Sequence, residues 1–238
     1  MKKLSVLFIL SLLLVTVMSS CRKVSGTGPV VSETRSVSGF SEIKSAFSGD
    51  IIITPSTHYN VKIEAQQNII DVIETVLNDG ILTLRVKNNT VIKPDSRVKV
   101  YISSPDIRGI VVSGSGNVQF TDALTTTDLY LKVSGSGNIN IFKLTANSVD
   151  ANISGSGEIN INDGTVAEEM VDISGSGSMD LSNLVATNSD VKIAGSGDAR
   201  VYATNKLKVR ISGSGSVYYR GTPSVDVSIS GSGKLKSI

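Results

Sequence analysis

The sequence predicts an all-β fold: a single-stranded parallel β-helix with Gly-Ser-Gly turns, preceded by a β-rich N-terminal cap that carries one short helix. Three observations point there. The tripeptide Gly-Ser-Gly recurs seven times in the C-terminal half, at spacings of 18 to 21 residues. On both sides of it every second residue is apolar. The core must also rest on Val, Ile and Leu, because aromatic residues are only 5% of the chain and Trp is absent. Such side chains suit a pleated surface.

From the N-terminus, Lys2 and Lys3 form a positive region, Leu4 to Met18 is apolar, and Ser19 and Ser20 precede Cys21. Residues 1–20 therefore read as a secretion signal. The apolar run is short for a full bilayer crossing, which disfavours an uncleaved anchor. Cys21 is the only cysteine, so an internal disulfide is excluded. Its place directly after small residues resembles the bacterial lipoprotein signal. That resemblance implies lipidation of Cys21 and a membrane partner through the lipid anchor. Met18, where Leu is usual, departs from the pattern, and a free secreted thiol is the alternative. Acyl chains would hold the protein through buried methylenes, at about 0.8 kcal/mol each. Without Lys2 and Lys3 the basic residues fall from 23 to 21, equal to the acidic ones. The mature chain then has no basic field for nucleic acid or an anionic membrane surface.

Residues 21–32 read as a tether, since Arg22 to Val31 is the Gly/Ser/Pro-containing segment RKVSGTGPVV. It lacks the acidic run that follows the cysteine in some surface lipoproteins. The sequence thus leaves open whether an outer-membrane lipoprotein of this kind faces the cell surface or the periplasm. Residues 33–108 lack the tripeptide but remain strand-like, with candidates at Ile51-Ile52-Ile53, Val61-Lys62-Ile63, Ile81 to Val86 and Val98 to Ile102. Ile69, Ile70, Ile73, Val76 and Leu77 fall at helical spacing, and Asn78-Asp79-Gly80 ends that element, which predicts the short helix. This half either caps the solenoid, as terminal repeats must, or continues it as irregular coils, with Ser48-Gly49-Asp50 as a degenerate turn.

Residues 109–238 hold the repeat. Its glycines are Gly114 and Gly116, Gly135 and Gly137, Gly155 and Gly157, Gly175 and Gly177, Gly195 and Gly197, Gly213 and Gly215, and Gly231 and Gly233. Two residues before each tripeptide stand Val112, Val133, Ile153, Ile173, Ile193, Ile211 and Ile229. Four residues after its first Gly stand Val118, Ile139, Ile159, Met179, Ala199, Val217 and Leu235. The columns between are polar or mixed. Alternation with period two means two half-buried strands per repeat. One repeat cannot bury its inner face alone; stacking in parallel at about 4.8 Å does so. A right-handed winding is expected, as for other parallel crossovers. Both glycines share parity with the inward positions, so they meet a tight corner or a positive φ. The middle serines are expected to stack as a hydroxyl ladder. Repeat length varies near 144–147 and 185–188, which marks the tolerant loop edge and often a binding face. At the far end Lys234 and Lys236 lie on the last strand, where lysine discourages further pairing; coverage by another copy is the alternative. The oligomeric state is left open.

Catalytic constellations are poor. His58 is the only histidine and reads as a solvated turn residue. No Cys/His cluster suits zinc, and no Cys/His pair suits nucleophilic attack once Cys21 is acylated. The serines of the tripeptides lack a base. The column Asn117, Asn138, Glu158, Ser178, Asp198, Ser216, Lys234 has two carboxylates and a lysine, a poor calcium ladder. No catalytic residue, metal or cofactor is therefore assigned. Tyr202, Tyr218 and Tyr219 are the candidate glycan contacts, with core filling near an end as the plain alternative.

The repeated Ile-Ser-Gly-Ser-Gly with flanking alternation, behind a lipoprotein-like signal, resembles a family of Bacteroidetes envelope proteins. The family is described as "putative auto-transporter adhesin, head GIN domain", and the likeness spans about Phe40 to Ile238. It implies a β-helix fold, no identified catalytic residues and an adhesive role. The expected function is a non-enzymatic, lipid-anchored envelope adhesin or interaction module, whose partner would be a glycan or an envelope protein. A carbohydrate-active β-helix enzyme is the competing class.

Overall fold

In the computed structural model, which describes residues 22–238, the chain from Gly109 onward winds in stacked coils with three sides. The secretion signal and Cys21 lie outside the described residues. The first sheet holds the strands that precede each corner. Here Gly109–Val112, Asp128–Gly135 and the stretches 148–155, 168–175, 188–195, 206–213 and 224–231 pair in parallel. Their register sets corner on corner: Gly135, Gly155, Gly175, Gly195, Gly213 and Gly231 are successive partners. The second sheet holds the strands that follow the corner, among them Asn117–Phe120, Asn138–Ile141, Glu158–Ile161, Ser216–Arg220 and Lys234–Ser237. A narrow third sheet closes the section through Ala123–Thr125 and the stretches 143–145, 164–166 and 184–186.

The period-two pattern explains this arrangement directly. Val133, Ile153, Ile173, Ile193 and Ile211 stack on one inner wall, and Ile139, Ile159, Met179, Ala199 and Val217 on another; all are buried. Full burial of such a side chain stabilises by about 1.5–3 kcal/mol relative to exposure. The polar residues between them face outward. At the end of the stack the same inward columns lose their cover: Val225, Val227 and Ile229 are 40%, 47% and 40% exposed.

The N-terminal half both continues the stack and caps it. Glu42–Ala46 and Asp50–Pro55 form a coil in register with Gly109–Val112 and Asn117–Phe120. Phe47-Ser48-Gly49 thereby occupies the corner opposite Gly114-Ser115-Gly116. On its other side this coil pairs with Ile81–Val86 and Lys99–Ser104. The order along the axis is thus 81–104, then 42–55, then 109–120, which is not the order of the sequence. Antiparallel strands finish this end: Ile73–Asn78 on Ile81–Val86, Asn60–Gln66 on Lys99–Ser104, and Val30–Arg35 on Asn60–Gln66.

Two readings of the sequence change here. The apolar spacing from Ile69 to Leu77 yields only one helical turn, Gln67–Ile70; Ile73–Asn78 is a strand. Asp79-Gly80 does not end a helix but forms the two-residue link of a hairpin, with φ of 47° and 77°. Asp-Gly meets that demand for two positive φ values, and the link matches the twist of its flanking strands. The segment read as a tether is strand at both ends. Arg22–Val24 pairs in parallel with Thr90–Ile92, and Val30 onward joins the cap. Side-chain bonds hold the piece between: Ser96 Oγ accepts from the Gly26 N–H at 2.7 Å, and Asn68 Nδ2 donates to the Ser25 carbonyl at 2.7 Å.

Candidate binding surface

The corners are the most repeated local feature, and their two glycines do different things. From Gly135 onward the first takes a positive φ, 136° at Gly155 for example, a region that side chains with a Cβ avoid. The second is buried against the preceding coil. A Cβ on Gly157 would lie 2.5 Å from Val133 Cγ1 and would also strike the Gly137 carbonyl. The middle serines form a ladder, but through the backbone. The Ser156, Ser176 and Ser196 N–H groups each donate to the first-glycine carbonyl of the preceding coil at 2.9 Å. Their hydroxyls are exposed and make no hydrogen bond among the described residues, which corrects the expected hydroxyl ladder. A parallel ladder needs the amide, and the Ser side chain points to solvent.

The outer faces differ in chemistry. On the first sheet, charges answer one another: Arg210 donates twice to the Asp190 carboxylate at 2.8 and 3.0 Å, and Asn152 Nδ2 donates to Asp150 at 2.7 Å. On the second sheet, two adjacent outward columns carry amides. One runs Asp50, Asn117, Asn138, Glu158; the other Tyr101, Ile52, Gln119, Asn140, Asn160, Asp180, Arg200, Tyr218, Lys236. The amides stack. Asn117 donates to Asp50 at 3.0 Å, Asn138 to Asn117 at 2.9 Å, and Asn160 to Asn140 at 3.0 Å. A shallow groove runs over Asn117, Gln119, Asn138 and Asn140, with Asp50 and Lys99 at one end. The sequence columns contain these residues, but their meeting with Asp50 depends on the coil at 42–55.

Of the three tyrosines, the structure turns two outward and one inward. Tyr218 lies on the second sheet between Arg200 and Lys236, whose cations stand 5.4 and 6.0 Å from its ring centre. Tyr202 faces outward on the neighbouring strand, opposite Arg220. Tyr219 packs against the core. His58 sits in an exposed turn with Nδ1 2.9 Å from Thr57 Oγ1. Among the described residues no group of three His, Cys, Asp or Glu side chains gathers as a metal site would.

One ionisable group was not singled out by the sequence reading. Glu169 occupies the inward column Leu129, Val149, Glu169, Ser189, Leu207 and is buried. Ser189 Oγ donates to its Oε1 at 2.6 Å, while Oε2 finds no partner among the described residues. Burial pushes its carboxyl up to about 8, against the smaller opposing effect of Ser189. The signal was present: Glu169 has the same parity as Val171 and Ile173, which face inward.

The sequence profile described as "Putative auto-transporter adhesin, head GIN domain" matches residues 39–223. The chain belongs to this family. Among solved structures, a "putative adhesin" from Bacteroides fragilis is 27% identical with a TM-score of 0.86, over 90% of this chain and all of the other. A "putative adhesin" from Parabacteroides distasonis is 26% identical with a TM-score of 0.76, over 91% of this chain and all of the other. A second Parabacteroides distasonis structure, described as a "Putative lipid binding protein", is 22% identical with a TM-score of 0.77 over 91% of this chain and all of the other, a likeness of fold. Among curated proteins none matches this sequence significantly. These structures thus share the fold of this chain, and no helix among the described residues is long and apolar enough to cross a membrane.

Proposed function

We propose that this chain is a non-enzymatic, lipid-anchored outer-membrane protein that acts as an adhesin through the outer faces of its solenoid. One observation carries the reading: the family match falls on a stack of coils whose outward columns run unbroken along the axis. Such a surface suits extended contact with a glycan or an envelope protein. Its rigidity helps, because little conformational freedom is lost when an ordered face binds. Lipidation of Cys21 would hold the capped end near the membrane, since Arg22–Val24 is strand-paired to the cap.

The test uses intact cells producing the full chain. Protease shaving should remove the solenoid from the cell surface, Cys21→Ala should release it into the medium, and deletion should reduce attachment to a host-derived or bacterial surface. Protection from protease would argue against a surface adhesin. Sustained cleavage of a polysaccharide by the purified protein would replace the reading with an enzymatic one.

A further inference from the structure

The second sheet carries an ion pair between Asp180 and Arg200, but from Asn117 to Asn160 its outward polar groups are mainly amides, which differ from the charged pairs of the first sheet. We infer that its amide bed, Asn117, Gln119, Asn138, Asn140 and Asn160, binds an uncharged linear polysaccharide lying along the solenoid axis. This rests on the adhesive reading and assigns it a ligand class and a face.

The argument begins with hydrogen-bond capacity. An Asn side chain offers two donors and two acceptor lone pairs. In the stack each ladder bond uses one donor of one amide and one acceptor position of its neighbour. The remaining groups are held at fixed orientation on an ordered strand face. Gln119 makes no side-chain hydrogen bond among the described residues, and so presents both ends of its amide. Donors and acceptors in equal measure are what a chain of hydroxyl groups can satisfy.

Charge favours a neutral ligand. Between the coils of Asn117 and Asn160 the two columns hold five amides and a single charge, Glu158, at one edge. Amides lose water at modest cost, whereas burying an unpaired ion costs several kcal/mol. A polyanion would meet Asp50 and Glu158 with only Lys99 to answer them. Spacing favours a polymer. The amides recur at the strand separation of about 4.8 Å, of the order of one sugar ring, so successive rings of a bound chain can engage successive coils. Linked contacts of this kind add avidity without any new type of contact. Further along the same column, Asp180, Arg200 and Tyr218 continue the track toward the C-terminal end.

Isothermal titration with neutral linear oligosaccharides tests this, using gluco-, xylo- and manno-oligomers as trimers and hexamers, with heparin and polygalacturonate as charged comparators. At least one neutral hexamer should bind, about tenfold or more tighter than its trimer. Gln119→Ala should weaken it several-fold; that residue makes no internal side-chain bond, so its loss cannot act by breaking the ladder. The pair Asn140→Ala with Asn160→Ala should abolish binding, while Lys192→Ala on the first sheet should leave it unchanged. Failure of every neutral oligomer, or preference for the charged comparators, overturns the inference. If cells carrying Gln119→Ala and the Asn pair still adhere as wild type does, this face is wrong and the adhesive reading stands. If wild-type cells do not adhere at all, the adhesive reading falls with it.

Discussion

From Gly135 to Gly231 each corner rests on an equivalent corner one coil earlier, whereas the corner at Gly114 rests on Phe47-Ser48-Gly49. The strand pairing on either side is shared, but the demand for glycine at the first position is not. Gly155 has a positive φ, and a Cβ there would lie 2.5 Å from the Gly135 carbonyl. Gly114 has no positive φ, and its nearest neighbour to an added Cβ would be the Phe47 carbonyl at 3.5 Å, an ordinary contact. Phe47 itself fills the equivalent place with a buried ring. At the first position the glycine requirement therefore follows the corner beneath, whereas the second position is crowded in both settings: a Cβ on Gly116 would lie 2.7 Å from the Gly49 and Phe47 carbonyl oxygens.

The largest effect that could break this comparison lies at the second glycine. Gly157→Val should lose on the order of 4 kcal/mol or more, as overpacking combined with a backbone clash does, and should leave little folded protein. Gly114→Ala should change stability by no more than about 1 kcal/mol, because alanine also restricts the unfolded chain. Urea unfolding midpoints compare the two; a stable Gly157→Val variant would overturn the account of the corner.

Next in size is the contrast between enclosed and end coils. Ile173→Ala empties a fully buried position and should cost about 2–5 kcal/mol. Val227→Ala removes a side chain of the same inward register that is 47% exposed, and should cost less than about 1 kcal/mol. Equal losses in thermal unfolding would show that the end coil is covered in solution.

Glu169 tests what a polar residue does inside the regular stack. Its folded pKa is raised from 4.5 to about 8, so the native state holds a proton that the unfolded chain releases. The associated stability is full below about pH 4.5, falls as pH rises, and is lost by about pH 8. Wild-type protein should thus be less stable at pH 9 than at pH 5, by a few kcal/mol from this group, whereas Glu169→Gln should show a flatter profile. Denaturant midpoints across that range decide it, and an unchanged slope in the variant would assign the pH dependence elsewhere. A similarly small effect belongs to the cap: Gly80→Ala places a Cβ at φ 77° with only the Gly39 carbonyl in ordinary contact at 3.9 Å, a cost of about 1 kcal/mol from backbone strain alone.

The amide bed and Tyr218 lie on outward positions that strict alternation identifies, so this part of the candidate surface was legible before any coordinates. What alternation could not show was which polar residues would neutralise one another. Asp190 and Arg210 meet because they sit diagonally on adjacent coils, and Tyr219 turns inward although Tyr218 beside it does not. The amphipathic spacing of Ile69 to Leu77 misled for a related reason. Apolar positions three and four apart fit a helix, but Asp79-Gly80 closes a hairpin and Ile81–Val86 offers an edge to pair with.

The sequence by itself determined the solenoid. Seven tripeptides at near-constant spacing, flanked by period-two apolar columns, leave stacking as the way to bury every inner face. Only the tertiary structure decided the order of the first coils. Residues 42–55 are enclosed between 81–104 and 109–120, a placement set by long-range strand pairing that no local pattern encodes. The same pairing brings Asp50 to the amide ladder and Phe47 beneath Gly114. The physical reason is common to both: alternation tells a residue which way to face, while its neighbour across a parallel ladder is chosen by the register of another coil.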